Sequence, residues 1–542
     1  MTNRIEIYDT TLRDGTQGEA INFSVADKCR IAEALDALGV DFIEGGWPGS
    51  NPRDVAFFGE ARSLRLHHAR ITAFGATRRR NLTCETDPSI QSLLEASTPV
   101  VTIFGKSWEL HVRDALRIEL DENLEIISDS VRYLAARVPL VIYDAEHFFD
   151  GYRSNSEYAL TTLLAAVDAG AARIVLCDTN GGSLPHDVER ITREVAEKLR
   201  VPVGIHCHND GELAVANTLA AVRGGASHVQ GTINGYGERC GNANLCAVIP
   251  NLELKLGREA IGAEHLRKLR DTAYFVSEIA NLAPAPSAAF VGASAFAHKG
   301  GVHVSAVERN PATYEHIAPE LIGNRRRILV SDLSGRANLQ AKARELNLEF
   351  NGEEKILDEL KRLEYEGFEF EGAEASFELL VHKLGNEPEP FFELLSYRVI
   401  DEHRAVSTLL SEATVKIKVG DCVEHTAATG TGPVNALDQA LRRALAEFYP
   451  SLAELRLIDY KVRVINSSLK GSASLVRVLI TSSDGTSKWT TVGVSANIVE
   501  ASWRGLVDSV EYKLMKDRAK PTPGFKFDEG RPQRAAPTVR TT

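Results

Sequence analysis

The feature that most constrains the fold is an eightfold repetition of one pattern between residue 1 and about residue 255. In each unit a short apolar run is followed by turn residues and then by a segment whose apolar residues have helical spacing. The eight runs, each predicted to be a strand, are Ile5–Asp9, Phe42–Trp47, Ile71–Gly75, Val100–Gly105, Leu140–Asp144, Arg173–Asp178, Val203–His208 and Val229–Asn234. The clearest helical segments are Ser24–Leu38, Asn123–Ala136, Glu157–Ala169 and Asp187–Leu199.

Eight successive strand–helix units predict an α/β protein with an N-terminal (β/α)8 TIM barrel. A doubly wound open sheet is the structural alternative, but an unbroken series of eight units matches barrel closure. In such a barrel the chemistry lies at the C-terminal ends of the strands. The polar residues at those ends are Arg13, Asp14, Glu44, Lys106, Asp144, Glu146, His147, Asp178, Thr179, Asn180, His206, His208 and the stretch 234–242. Their shared location predicts a functional site.

The pair His206 and His208 is the first candidate for metal binding. Residues two apart on a strand face the same side, whereas Cys207 between them should face the core. A His-x-His pair is more often simply hydrogen-bonded, but strands 1 and 7 lie two apart around the rim, which adds the carboxylate of Asp14. This set leaves coordination positions open, and Asn242 offers a fourth oxygen. It is compatible with Zn²⁺, Mn²⁺ or Mg²⁺, and the imidazoles favour the first two.

The residues around this cluster suit a substrate that carries adjacent keto and carboxylate oxygens, because such a pair can chelate a cation. Arg13 is placed to stabilise an oxyanion on a partner substrate, and Thr179 to hydrogen-bond the carboxylate. Glu146 and His303 are candidate proton-transfer groups, although a loop histidine such as His303 often has no catalytic role.

Three stretches together resemble the signatures of the isopropylmalate and homocitrate synthase family. They are Asp9–Gly15 (Asp-Thr-Thr-Leu-Arg-Asp-Gly), His206–Asp210 (His-x-His-Asn-Asp) and Asn234–Asn242 (Asn-Gly-Tyr-Gly-Glu-Arg-x-Gly-Asn). Within that family, Glu44–Pro52 (Glu-Gly-Gly-Trp-Pro-Gly-Ser-Asn-Pro) resembles the citramalate synthase branch. The resemblance extends from residue 1 to about residue 515, because the C-terminal segment is similar to the family's regulatory domain.

The resemblance implies a Claisen-type condensation of acetyl-CoA with a 2-oxo acid, followed by hydrolysis of the thioester. For the citramalate synthase branch it implies pyruvate as acceptor, a first step toward isoleucine, and feedback inhibition by isoleucine. The family's functional positions correspond here to Asp14, His206, His208 and nearby Asn242 for the metal, Arg13, Glu146 and Thr179 for catalysis and substrate contact, and His303 and Tyr314 for proton transfer.

The expected mechanism starts with His303, oriented by Glu146, which removes a methyl proton from acetyl-CoA. Arg13 stabilises the enolate, which attacks the keto carbon of pyruvate, and water then releases CoA. One alternative is a 2-isopropylmalate synthase, which uses 2-oxoisovalerate. Others are an enzyme like hydroxymethylglutaryl-CoA lyase, a carboxyl transferase, or a metal-stabilised sensor; lyases of that kind lack a duplicated C-terminal domain.

Four regions are predicted along the chain: a catalytic barrel at 1–280, helical linker subdomains at 281–370, a regulatory domain at 371–517 and a disordered tail at 518–542. The regulatory domain is a duplicated β3α unit. Its predicted elements are strands Phe392–Val399, Ala413–Val419 and Cys422–Ala427 with helix Val434–Phe448, then strands Leu457–Ile465, Ala473–Thr481 and Lys488–Val494 with helix Ile498–Leu514. Such a unit can bind an effector or pair with a second copy, and we expect a homodimer.

Charge and cysteine content narrow the partners and the compartment. The net charge of −12 disfavours nucleic acid and anionic membranes. No apolar run is long enough to cross a bilayer. Seven cysteines without paired spacing indicate reduced thiols and a cytoplasmic location. We therefore expect small-molecule partners, namely pyruvate, acetyl-CoA and the effector isoleucine.

Overall fold

The computed structural model describes residues 3–330, 336–346, 352–386, 390–402, 410–465 and 474–517. The predicted disordered tail, 518–542, lies outside these residues. The chain forms two compact units, the first spanning Met1–Ala297 and Glu315–Arg327 and the second His298–Tyr314 and Ile328–Thr542. Each unit is described by itself below.

The first unit is built on a closed barrel of eight parallel strands in the order β1 to β8. The strands are β1 (Glu6–Asp9), β2 (Phe42–Gly46), β3 (Arg70–Ala76), β4 (Val100–Lys106), β5 (Leu140–Glu146), β6 (Arg173–Asp178), β7 (Val203–Cys207) and β8 (His228–Gly231). β1 pairs with both β2 and β8, which closes the sheet. The barrel prediction is confirmed, and the open-sheet alternative is wrong.

Eleven helices follow the strands in this unit. They are α1 (Val25–Leu38), α2 (Pro52–Ala61), α3 (Pro88–Glu95), α4 (Leu120–Ala135), α5 (Phe148–Ser154), α6 (Ser156–Ala169), α7 (Pro185–Lys198), α8 (Ala214–Arg223), α9 (Leu245–Leu254), α10 (Ala263–Leu266) and α11 (Leu269–Ile279). Local signals set several of their ends. Ser24 and Asp27 form a capping box at the start of α1, and Gly39 ends it in a left-handed conformation.

Alternation along the strands decides which side chains enter the barrel. Tyr8, Phe42 and Val100 belong to one buried cluster together with residues of β5 and β6. The intervening residues pack outward against the helices, and Cys207 belongs to this outer core. The prediction that Cys207 faces away from its two histidine neighbours is therefore confirmed. Inward positions one or two residues further along the strands reach the C-terminal rim.

The second unit contains linker helices and a duplicated β3α domain. The helices are α12 (Gly301–Arg309), α13 (Arg336–Glu345), α14 (Glu353–Tyr365) and α15 (Glu374–Asn386). Two two-residue strands, β9 (Ala297–His298) and β10 (Arg327–Ile328), lie at the unit boundaries. No helix within the described ranges is both long and apolar enough to cross a membrane.

The duplication consists of two three-stranded antiparallel sheets, each followed by a helix. The first repeat contains β11 (Glu393–Glu402), β12 (Leu410–Val419), β13 (Cys422–Gly430) and α16 (Pro433–Leu445). The second contains β14 (Arg456–Ile465), β15 (Leu475–Ser483), β16 (Lys488–Ser495) and α17 (Ile498–Lys516). The predicted repeat is confirmed, although Ala473, the predicted start of one strand, lies outside the described residues.

Helices α15 and α17 are joined by charged side chains. Lys383 Nζ lies 2.5 Å from Glu511 Oε2 and 3.8 Å from Asp508 Oδ1. Ser376 donates a hydrogen bond to Asp508 at 2.6 Å. Burial raises the pKa of Asp508 to about 6, although the ammonium of Lys383 opposes the shift. Two carboxylates therefore share one cation, and Asp508 ionises less readily than an ordinary aspartate.

We expect Asp508→Asn to increase the free energy of unfolding by about 1–2 kcal/mol at about pH 7.5. The pKa of this carboxyl is about 6 in the folded chain against 3.8 ordinarily, so folding favours the protonated form and stability falls as the pH rises through this window. Asparagine keeps an acceptor for Ser376 without the charge. Chemical unfolding at about pH 7.5 and about pH 4 should show the gain mainly at the higher pH. Asp459→Asn, beside Lys461 at the surface, is the control. An Asp508→Asn variant that is less stable than wild type at the higher pH would contradict this prediction.

Candidate active site

Asp14, His206 and His208 converge at the C-terminal rim of the barrel. Asp14 lies in the loop after β1, and the histidines lie at the end of β7. Nε2 of His206 is 3.3 Å and Nε2 of His208 is 3.9 Å from Oδ2 of Asp14. The two Nε2 atoms are 3.4 Å apart. Among the described residues, this is the one group of three or more His, Cys, Asp or Glu side chains arranged to hold a metal ion.

The protonation states of Asp14 and His208 leave lone pairs that can bind a cation. Burial opposes ionisation of Asp14, but the charge of Arg13 and the hydrogen bond from His206 hold the pKa of Asp14 well below its usual range. Burial and the neighbouring His206 lower the pKa of His208 to about 4. An ionised carboxylate and a neutral imidazole are the forms that bind cations.

Buried oxygen atoms without a hydrogen-bond partner test whether this cluster fits a metal ion. Oδ1 of Asp14 and Oδ1 of Asn242 are both buried without a hydrogen-bond partner in the described structure. The amide nitrogen of Asn242 donates to the carbonyl of Tyr236 at 3.1 Å, which leaves the amide oxygen as the unused atom. Asn242 also pairs with His208 through an isolated backbone bridge. Buried oxygens normally have a partner, so these residues fit a bound divalent cation.

Gln230 on β8 orients His206 from behind and was not among the predicted site residues. Its Oε1 lies 2.9 Å from Nδ1 of His206, and its Nε2 donates to Asp144 at 3.1 Å. Because Gln230 offers an oxygen, Nδ1 of His206 donates its proton to Gln230, and the ring is oriented with Nε2 toward Asp14. Burial, with Glu44 nearby, raises the pKa of Asp144 to about 7. The sequence feature that could have identified Gln230 is the alternation of inward-facing and outward-facing residues along β8.

Arg13 is held rigidly beside the cluster. Its Nε donates to Oε1 of Glu44 at 2.5 Å, and its Nη1 lies 3.4 Å from Asp14. Its guanidinium carbon lies 3.7 Å from the centre of the Phe74 ring. Tyr8 donates to the second oxygen of Glu44 from inside the barrel. Burial opposes the charge on Arg13, but Glu44 and Asp14 outweigh it and raise its pKa. The site therefore keeps a fixed positive charge.

The hydroxyl group of Thr179, at the end of β6, already accepts one hydrogen bond. Its hydroxyl oxygen accepts the backbone N–H of His147 at 2.9 Å, which leaves its own O–H free to donate. Its carbonyl accepts from Arg239 at 2.8 Å, and Arg239 is also paired with Asp210. The loops after β5, β6, β7 and β8 are thus joined around Thr179.

Glu146 is paired with Lys106, the last residue of β4. The two side chains are partly exposed at the rim, and the ammonium lies 5.4 Å from the centre of the Phe104 ring. Both residues were predicted at strand ends, but their pairing was not. The structure places Glu146 in the same barrel mouth as Arg13 and Thr179.

His303 and Tyr314 lie in the second unit. His303 is on α12, and the centres of the two rings are 4.3 Å apart. The Tyr314 side chain is 47% exposed, so the pair is not part of a packed core. Their assignment to proton transfer stays a prediction.

Comparison with known proteins decides the family. A protein of Geobacter sulfurreducens named (R)-citramalate synthase is 58% identical over 517 residues, covering 94% of this chain and 98% of that protein. The (R)-citramalate synthase of Aquifex aeolicus is 56% identical over 523 residues, covering 95% and 99%. The chain belongs to the (R)-citramalate synthase family. A 2-isopropylmalate synthase of Methanocaldococcus jannaschii is 31% identical over 522 residues, covering 95% of each chain, so the (R)-citramalate synthase family is the better match.

Domain families match this (R)-citramalate synthase family member along most of its length. An HMGL-like domain matches residues 4–276, which contain the barrel and the Asp14, His206 and His208 cluster. A homocitrate synthase post-HMGL domain-like family matches residues 290–367. A LeuA allosteric (dimerisation) domain matches residues 371–514, which contain the duplicated β3α unit.

Proposed function

We propose that this protein is an (R)-citramalate synthase, which condenses acetyl-CoA with pyruvate and hydrolyses the thioester to give citramalate and CoA for isoleucine biosynthesis. One observation carries the proposal: in a chain of this family, the Asp14, His206 and His208 cluster opens beside a fixed cation, Arg13, 3.4 Å from Asp14. A 2-oxo acid suits this arrangement. Its adjacent keto and carboxylate oxygens can bind a metal ion, and its keto group reacts only when an electrophile polarises it.

Asp14, His206 and His208 would hold the divalent cation, with Asn242 as a further oxygen ligand. Two imidazoles with oxygen donors suit Zn²⁺ or Mn²⁺ better than Mg²⁺. When bound, the ion supplies Lewis-acid polarisation of the acceptor's keto group. Gln230 keeps the ring of His206 in the required tautomer.

The protein's own residues bind the substrates and move the protons. Thr179 donates its free O–H to the pyruvate carboxylate. His303 is the proposed base that removes a proton from the acetyl methyl group, and Glu146 is a proposed catalytic residue of the barrel mouth. Arg13 stabilises the negative charge that develops on the thioester oxygen while the new carbon–carbon bond forms. Tyr314 takes part in the later proton transfers, and water cleaves the thioester and releases CoA.

The acceptor is tested by following CoA release from acetyl-CoA with Mn²⁺ and one 2-oxo acid at a time. The acids are pyruvate, 2-oxobutyrate, 2-oxoisovalerate and 2-oxoglutarate. We expect a clear preference for pyruvate that a chelator abolishes. A preference for 2-oxoisovalerate would indicate a 2-isopropylmalate synthase, and no release with any acid would support the lyase direction.

We further propose isoleucine as a feedback inhibitor, a homodimer, and a cytoplasmic location, with 1–280 catalytic, 281–370 linking and 371–517 regulatory. The duplicated domain has a cavity of about 510 Å³ with an apolar wall and polar groups. Its lining residues are Val434, Asn435, Asp438, Arg442, Leu455, Arg456, Leu457 and Tyr460. An amino acid with a branched aliphatic side chain fits this mixture of surfaces. None of the seven cysteines, all of which lie in the described residues, forms a disulfide bond, which supports a reducing compartment.

Filling this cavity should remove the inhibition. We expect Val434→Trp to raise the isoleucine concentration for half-inhibition by about 10-fold or more, because the indole occupies the ligand volume. The uninhibited rate should change little. Lys461→Ala, on the exposed face of β14 next to Tyr460, is the control. Unchanged inhibition of Val434→Trp in a steady-state CoA-release assay would exclude this cavity as the effector site.

A further inference from the structure

An aromatic wall, formed by Trp47, Phe74 and Phe104, stands at the mouth of the barrel. The rings of Phe74 and Phe104 are stacked with centres 5.5 Å apart and an interplanar angle of 20°. Trp47 stands edge-on to both, at 6.0 Å and 85° from Phe74 and at 5.6 Å and 84° from Phe104. Stacked and edge-to-face contacts are favourable geometries for aromatic rings. Trp47 therefore supports both phenylalanines at once.

The aromatic wall is part of the site rather than of a distant core. On one side, the guanidinium of Arg13 lies 3.7 Å from the centre of the Phe74 ring. On the other, Lys106, the partner of Glu146, lies 5.4 Å from the centre of the Phe104 ring. The wall is thus the apolar surface between two charged groups of the barrel mouth. The carbon chain of an acceptor that is held by its polar end would meet such a surface.

The loop that carries Trp47 is fixed by a buried ion pair. Lys28, which is 2% exposed, lies 2.5 Å from Asp54 and donates to the carbonyl of Gly45 at 3.0 Å. The other oxygen of Asp54 accepts the backbone N–H of Trp47 at 2.8 Å. Gly46 has φ +150°, and a Cβ there would lie 2.4 Å from Asp54. The close approach of Asp54 thus requires glycine at position 46, and these contacts tie the loop to β2 and α1.

We propose that Trp47 is the positioning residue that limits the acceptor to a short 2-oxo acid. It acts through Phe74 and Phe104, whose rings it holds in place beside the site. The inference rests on the proposed function, because it concerns the size of the acceptor in that reaction. The Lys28–Asp54 pair prevents the loop from moving back to admit a longer chain.

A shorter side chain at position 47 should let the rings of Phe74 and Phe104 move away from the site and leave more space for the acceptor. One extra methylene in an apolar pocket changes selectivity by about 10–200-fold. We therefore expect Trp47→Leu to raise the ratio of kcat/KM for 2-oxobutyrate or 2-oxoisovalerate to kcat/KM for pyruvate by about 10–100-fold. Trp47→Phe, which keeps an aromatic edge, should change this ratio less.

The test uses the full-length protein with acetyl-CoA and Mn²⁺. Wild type, Trp47→Leu, Trp47→Phe and the control Phe57→Leu are compared for kcat and KM with pyruvate, 2-oxobutyrate and 2-oxoisovalerate. Phe57, on α2, packs against Gly45 and its ring contacts Phe58 rather than the wall, so its replacement removes a buried aromatic ring near Trp47 without shortening the wall. Circular dichroism and thermal unfolding establish that each variant is folded.

A raised ratio in Trp47→Leu, a smaller rise in Trp47→Phe and none in Phe57→Leu would support the proposal. Equal losses of kcat/KM for all three acids in a folded Trp47→Leu would overturn it, since a merely structural role lowers activity without changing selectivity. If Trp47→Leu does not fold, an unchanged ratio in Trp47→Phe overturns it on the same ground. A wild type that does not use pyruvate refutes the proposed function itself, and the size limit with it.

Discussion

Replacing Arg13 with lysine should lower kcat for acetyl-CoA and pyruvate by about 10²–10³-fold, with a much smaller change in the KM for pyruvate. The guanidinium is fixed by Glu44 at 2.5 Å and by the face of Phe74. A lysine ammonium is a point charge on a flexible chain and cannot keep both contacts. The loss should therefore fall on the charge that develops during the reaction, while the metal ion that Asp14, His206 and His208 would hold continues to bind the acceptor.

Steady-state kinetics with both substrates varied separates these effects. Arg78→Lys is a matched control, because Arg78 is as buried as Arg13 but pairs with Asp129 on α4 rather than with a residue of the metal cluster. The control should keep nearly full activity. An Arg13→Lys variant with unchanged kcat would exclude Arg13 from oxyanion stabilisation.

Asp14→Asn should weaken Mn²⁺ binding by at least about 10²-fold and abolish measurable CoA release. The substitution preserves the volume of the side chain but removes the anion that faces His206 and His208 at 3.3 and 3.9 Å. A neutral amide leaves no anionic side chain in the cluster to offset the charge of the ion. Calorimetric titration of the metal-stripped protein with Mn²⁺ measures the loss independently of activity.

Asp41→Asn is the control for this variant. Asp41 is a carboxylate near the N-terminal ends of the strands, where it is paired with Arg4. It should bind Mn²⁺ as the wild type does, and EDTA treatment of wild type should reproduce the activity loss of Asp14→Asn. Full Mn²⁺ affinity in Asp14→Asn would show that the ion binds elsewhere.

The barrel could be predicted from the sequence because each of its eight units repeats the same local signals. The strand ends were less accurate. The predicted strand Val229–Asn234 is found at His228–Gly231, and Asn234 beyond it adopts a left-handed conformation. Strand periodicity does not show where the backbone leaves the sheet, since the change depends on contacts of the following loop.

The candidate metal cluster could be predicted because the period of a strand and the geometry of a barrel fix which residues meet at the rim. His206 and His208 follow from the strand period, and Asp14, which lies in the loop after β1, follows from barrel closure. Gln230 and the aromatic wall do not, because their roles depend on which side chains meet across different strands. The relation of His303 and Tyr314 to the barrel also depends on tertiary arrangement, so their roles stay predictions.

The most direct test of the proposed function is to identify the product by NMR after incubating the protein with Mn²⁺, pyruvate and acetyl-CoA labelled with ¹³C in the acetyl methyl carbon. The account predicts that the label appears in the methylene carbon of citramalate, with one free CoA for each citramalate formed. Label that remains in acetyl-CoA, or appears only in free acetate, would contradict the assignment of this site to carbon–carbon bond formation.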